Sequence, residues 1–148
     1  MEHNFSGPSY TIGIEEELMI VDVETHELVN AIEELLKDAP EGDIKPELME
    51  SVLEIATPPC ADIPQADREL RRLRESVFQL AGRHGLTLGS AGTHPYALWE
   101  EQRIAARARY RELVAQLRFV ARQELIFGLH VHVGIDDPDK AIHVADGM

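Results

Sequence analysis

Ser9-Tyr10-Thr11-Ile12-Gly13-Ile14-Glu15-Glu16-Glu17-Leu18-Met19-Ile20-Val21 is the stretch from which the rest of the chain can be read. Tyr10, Ile12, Ile14, Leu18 and Ile20 share one parity; Thr11, Gly13, Glu15, Glu17 and Met19 share the other. Such alternation predicts a β-strand, because successive side chains leave opposite faces of the pleat. The first face is apolar and suits a core, except at Glu16. That residue is expected at a bulge, or where the face reaches water. The second face sets Glu15 and Glu17 side by side.

Outward from this strand, residues 22–27 have turn composition. Residues 29–37 read as a short helix ended by the Ala39-Pro40-Glu41-Gly42 turn. Residues 44–57 are a second candidate strand, carrying Glu47, Glu50 and Glu54 and stopped by Pro58-Pro59. Strict alternation puts Glu50 with Glu54 and leaves Glu47 opposite. A helical turn or bulge near Met49 would instead bring Glu47 and Glu54 together, and both arrangements remain open. A helix follows, with Asp62 as N-cap, Gln65 three residues on, a stripe of Leu70, Leu73, Val77, Leu80 and Ala81, and Gly85 as its stop. Residues 86–88 suit a strand and 89–95 a loop. Residues 100–123 read as a helix with Tyr110, Leu113, Val114, Leu117, Val120 and Ala121 on one stripe and a basic opposite face. Residues 126–135 read as a strand with His130 and His132 on one face. Asp137-Pro138 opens a last helix whose apolar stripe is still running near Met148. No repeat or linker divides the chain, so residues 1–148 are expected to be a single, truncated N-terminal portion of a longer domain.

Composition narrows the function classes. The 148 residues are 44% hydrophobic and 28% charged, with 27 acidic against 14 basic side chains and a net charge of -13. The chain is too apolar for an acidic disordered tail and long enough for one core. Its acidity argues against nucleic acid or anionic lipid as a partner. No apolar run approaches a membrane span, and residues 1–10 lack a signal-peptide pattern, so a cytoplasmic protein is expected. Cys60, the single cysteine, has no sequence partner for a disulfide or a cysteine-rich zinc site and no evident base to activate it. Phosphate-loop, dinucleotide and serine-hydrolase motifs are absent.

What stands out is a threefold pattern of acids or histidines on strand faces: Glu15 with Glu17, Glu50 with Glu54 and Glu47 nearby, and His130 with His132. Each pair alone is compatible with a wet sheet face. Together they would gather five carboxylates and two imidazoles over one surface. Two carboxylates ~4 Å apart repel by ~4 kcal/mol at an effective dielectric near 20, so several such pairs rival the stability of a small domain. Protonation or divalent cations must relieve that crowding. A ligand set dominated by oxygen favours Mg2+ or Mn2+ over zinc.

The segments Gly13-Ile14-Glu15-Glu16-Glu17, Glu50-Ser51-Val52-Leu53-Glu54-Ile55-Ala56-Thr57, Gly92-Thr93-His94-Pro95 and Phe127-Gly128-Leu129-His130-Val131-His132-Val133-Gly134 resemble the successive signatures of the type 2 glutamate-cysteine ligases, also called carboxylate-amine ligases. The resemblance runs from about Tyr10 to Met148. It implies an α+β fold: a curved, mainly antiparallel sheet with helices on one face, part of a glutamine synthetase-like catalytic fold. It further implies that Glu17, Glu47 and Glu54 hold one cation and Glu15 and His130 a second, that His132 faces the nucleotide phosphates, and that Glu50 is a catalytic or near-site acid. Thr93, His94, Arg109 and Tyr110 are implied at the substrate; for the last two, a solvated cation and a core aromatic are equally open. Glu16 departs from the family pattern, which often has an apolar residue there.

The implied activity is ATP-dependent ligation of a glutamate-like carboxylate to a cysteine-like amine through an acyl phosphate, with Mg2+ or Mn2+ at the phosphates. The rest of the nucleotide and substrate site is expected beyond residue 148. Homo-oligomerisation stays open. Two other classes remain: a non-catalytic metal-binding or assembly module derived from the ligase, and a zinc hydrolase using His130, His132 and a glutamate.

Overall fold

A computed structural model describes residues 5, 7–40, 42 and 44–148. Glu41, in the turn expected after the first helix, lies outside the described residues. The elements are β1 (Ile12–Asp22), α1 (Ile32–Asp38), β2 (Lys45–Pro46), β3 (Val52–Ala56), α2 (Ile63–Arg83), β4 (Leu86–Gly89), α3 (Ala108–Leu117), α4 (Phe119–Arg122), β5 (Leu129–Val133) and α5 (Pro138–Gly147), with a single 3-10 turn at Trp99–Glu101. They form an α+β fold around an antiparallel sheet, with β1 at its centre.

β1 pairs with β3 through Glu15 to Met19 and with β5 through Ile12 to Glu16. Glu15 and Glu16 thus have partners on both sides, so β3 and β5 flank β1 on opposite edges. β4 takes the edge beside β5, pairing with Met19 to Asp22. Asp22 then ends the strand by accepting hydrogen bonds from the backbone of Glu24 and Thr25 at 2.9 and 2.8 Å.

The two parities of β1 build two cores. Leu18 and Ile20 join Leu53 and Ile55 of β3 under α1 and α2, against Ile32, Leu35, Leu73, Val77 and Leu80. Each such side chain contributes roughly 2 kcal/mol by leaving water. α2 forms as expected: the Asp62 carboxylate accepts from Gln65 N at 2.7 Å, and Gly85 at φ 70° stops it. On the other face Met19, Val21 and Val52 meet Met49, Ala105, Tyr110, Ala121, Leu125 and Phe127. This second core covers only one end of its face, leaving Gly13, Glu15, Glu17 and Glu54 at the other end unroofed.

Three expectations are corrected. Glu16 is at neither a bulge nor a wet edge: it stays in register with Ile55 and Leu129, 3% exposed, and receives two hydrogen bonds of 2.7 Å from Arg74 of α2. A bidentate guanidinium supplies the charge that the apolar layer lacks. Residues 44–57 are not one strand but β2 and β3 joined by a turn closed by Val52 N to Met49 O at 3.1 Å. The single helix expected over residues 100–123 is a 3-10 turn, an extended stretch and two short helices split at Arg118, φ 49°. Residues 103–105 pair instead with the turn before β3, through Glu50 N to Arg103 O at 2.7 Å and Ala105 N to Leu48 O at 2.9 Å. Tertiary backbone pairing overrides helix propensity there.

Candidate active site

Cross-strand partners share a face, so register alone assembles most of the site. Glu17 lies opposite Glu54, Glu15 opposite His130, and Gly13 opposite His132. These residues come from strands up to 117 positions apart, as in the Glu15–His132 contact. Lys45 of β2 stands opposite Glu54 on that face.

The contacts are polar and mutually constraining. His132 Nε2 lies 2.9 Å and His130 Nδ1 3.7 Å from the same Glu15 oxygen, Oε2. The hydrogen bond from His132, aided by the charges of both histidines and Lys45 and opposed by burial, holds the Glu15 carboxyl below the usual range. Glu17 Oε2 accepts from Gly128 N at 2.6 Å. Lys45 Nζ bridges Glu54 at 3.0 Å and Glu15 at 3.9 Å.

The turn before β3 settles which glutamates meet. Glu47 joins Glu17 and Glu54: burial pushes its carboxyl up, its bond from Leu48 N opposes this, and the charges of both other glutamates raise it further. Glu50 is sent elsewhere, paired with Arg103 at 2.9 Å. Its backbone carbonyl accepts from Ala31 and Ile32 at the start of α1, so the structure does not bring it to the other acids.

A cavity of about 230 Å³ opens over this face, lined by Glu17, Glu47, Glu124, Gly128, His130 and the apolar Leu48, Met49, Val52 and Ile126. Tyr110 is buried beside Glu47, donating from Oη to Pro46 O at 2.7 Å. Burial, then the charge of Glu47, pushes its phenol up to about 12. The exposed Arg109 acts on Glu47 through its charge alone. Thr93 and His94 lie at the far end of β1. His94 is buried, with Nε2 donating to His26 O at 2.9 Å and Nδ1 accepting from Ala97 N at 3.1 Å, which fixes it as a loop anchor. Thr93 Oγ1 donates to Leu125 O.

Two residues escaped the sequence reading. Lys45 could have been found from the period of two, since it sits two before Glu47 and opposite Glu54. Glu124 carries no such signal, because the loop that aims it is set by tertiary contacts.

Among the described residues, no three His, Cys, Asp or Glu side chains form a ready-made cation-holding group. The chemistry of the donors, carboxylate oxygens beside an imidazole nitrogen, is nevertheless of a kind that divalent cations accept. A Cβ placed on Gly128 would stand 3.0 Å from His130 Nε2 and 3.4 Å from Glu17 Oε2, so an imidazole nitrogen and a carboxylate oxygen converge on one small space kept clear by glycine.

The model of Glutamate-cysteine ligase family 2 (GCS2) matches residues 11–148. The chain is 44% identical over 145 residues to "Putative glutamate--cysteine ligase 2-1" of Rubrobacter xylanophilus, covering 96% of this chain and 39% of that protein. It is 46% identical over 142 residues to "Putative glutamate--cysteine ligase 2" of Sorangium cellulosum, covering 93% of this chain and 38% of that protein. The chain therefore spans under two fifths of the length of these relatives. The solved structure of glutamate--cysteine ligase (gshA) from Francisella tularensis in complex with AMP matches with a TM-score of 0.63 at 18% identity, over 98% of this chain and 30% of that one; this likeness is of fold. Among the described residues no helix is long and apolar enough to cross a membrane.

Proposed function

This chain belongs to glutamate-cysteine ligase family 2, and from that premise we propose that it carries part of the catalytic site of an ATP-dependent carboxylate-amine ligase. The observation that supports this best is the convergence of Glu17, Glu47 and His130 on one cavity, with Glu54 opposite Glu17 and with Glu15 and His132 adjoining. Mg2+ or Mn2+, when bound, would supply the positive charge that neutralises the nucleotide phosphates during phosphoryl transfer.

In this reading Glu17, Glu47 and Glu54 hold one cation, with His130 reaching the Gly128 cleft from the other side and Glu15 continuing the row toward a second. His132, oriented by Glu15, presents an imidazole to an incoming phosphate. Tyr110 holds the backbone at Pro46 and so keeps Glu47 aimed at the cavity. Arg109 balances charge at its rim, and Thr93 and His94 fix the loop at the far end. The acid substrate is glutamate-like: its carboxylate takes the γ-phosphoryl group of ATP, releasing ADP, and the amine of a cysteine-like substrate attacks the resulting acyl phosphate, loses its proton and releases inorganic phosphate. The sheet's task is register, since two anions and an amine must be held in line. Glu50 acts through its tie to Arg103, shaping the turn that carries Glu47, rather than touching substrate.

Cation-dependent ADP release from ATP, measured with glutamate and a panel of amines in Mg2+ and in Mn2+, tests the reading. Turnover that needs both substrates and is lost in Glu17→Ala supports it; ATP and cations that bind nowhere near these residues would remove it. A second reading, an assembly module derived from the ligase, is favoured by the exposed apolar face of β5, where Leu129, Val131 and Val133 are 61%, 62% and 51% exposed.

A further inference from the structure

We infer that Lys45 is the site's resident counter-ion, holding Glu15 and Glu54 in place and competing with a divalent cation for their oxygens; this rests on the cation reading above. Lys45 reaches the acids from a register position on β2, directly opposite Glu54, so its location is fixed by backbone pairing. Its ammonium lies 3.0 Å from Glu54 Oε1 and 3.9 Å from Glu15 Oε1, bridging glutamates of two neighbouring strands. Among the described residues it is the only lysine or arginine within ion-pair distance of Glu15, Glu17, Glu47 or Glu54. The acid that His130 and His132 pair with is Glu15, so among the described residues no cationic side chain other than Lys45 is within ion-pair distance of Glu54.

An ammonium and a divalent cation cannot share those oxygens. The cation needs them bare at ~2.0–2.6 Å, and the two positive charges repel across the same space. Lysine suits an exchangeable role: a compact charge on a flexible stem, here 53% exposed, with no fixed fork to break. Cation binding therefore proceeds by swinging Lys45 out, and the work of parting that ion pair lowers the apparent cation affinity.

Titration of the chain with Mn2+ alone, at low ionic strength, tests this with Lys45→Met, Lys45→Arg and the unmodified protein, circular dichroism serving to check the fold of each. Lys45→Met is expected to bind Mn2+ at least about tenfold more tightly, ~1.4 kcal/mol, with the advantage narrowing as salt is added. Lys45→Arg, which keeps the charge, should remain weak and serves as the folded control. Equal or weaker Mn2+ binding by Lys45→Met overturns the competition while leaving the cation site standing. Absence of Mn2+ binding in all three overturns both.

Discussion

Gly128 is where the site tolerates least. Its N–H is tied to Glu17, and the space a side chain would fill is bounded by His130 Nε2 and Glu17 Oε2. Gly128→Ala is expected to lower Mn2+ affinity by about tenfold or more while leaving the melting temperature within about 4 °C of the parent, since the cost falls on the donors and not on a core. Equilibrium Mn2+ titration beside thermal melting measures both. Glu47 offers a test by pH. Its carboxyl is raised by burial and by Glu17 and Glu54, so the folded state holds the proton above the ordinary value of 4.5. That contribution to stability is full below 4.5 and lost as pH rises through the raised value. Glu15 runs the other way: its lowered carboxyl stabilises above 4.5, and that is lost as pH falls through the lowered value. Chemical denaturation from pH 4.5 to 7 should therefore show Glu47→Gln gaining on the parent as pH rises, and an unchanging difference would contradict the crowding.

Among the elements, β1 carries opposite chemistry on its two faces, and the Glu16–Arg74 pair is what lets the middle one of three consecutive acids lie in the apolar layer. Glu16 is buried while Arg74 is half exposed, so removing Arg74 strands a buried carboxylate. Arg74→Ala is expected to cost about 2 kcal/mol, less than for a fully buried pair because water reaches the guanidinium, whereas Glu16→Leu combined with Arg74→Met should be near neutral or stabilising. Urea unfolding of the single and double variants decides it; a double variant as unstable as the single would show that the pair organises the layer in some further way. This pair marks the limit of reading by pattern. The alternation of residues 9–21 was legible because strand period is local, and so was α2 with its Asp62 cap and Gly85 stop. Glu16 was not, because its partner is 58 residues along. Residues 103–105 likewise looked helical until their backbone found the turn at Glu50.

For the whole molecule, the sheet divides labour between its faces: one is covered by α1 and α2 over β1 and β3 but open over β5, and the other is half roofed and half open at the acids. The gathering of Glu15, Glu17, Glu54, His130 and His132 was legible in their parity, because antiparallel register converts equal parity into a shared face. Whether Glu47 or Glu50 joined them was not, since one turn decides it. On β5, the apolar side chains opposite His130 and His132 are left open. Concentration-dependent self-association is expected, suppressed by Val131→Lys, and sedimentation over a range of concentrations measures it. A chain that stays monomeric throughout would remove the assembly reading.

The convergence of acids on a divalent cation is tested most directly by Mn2+ titration of Glu17→Ala beside its melting curve in chelator. Mn2+ binding is expected to be lost while the chelated variant melts within about 4 °C of the parent. A variant that unfolds, yet whose remaining folded fraction binds Mn2+ as before, would show that Glu17 serves the sheet and holds no cation.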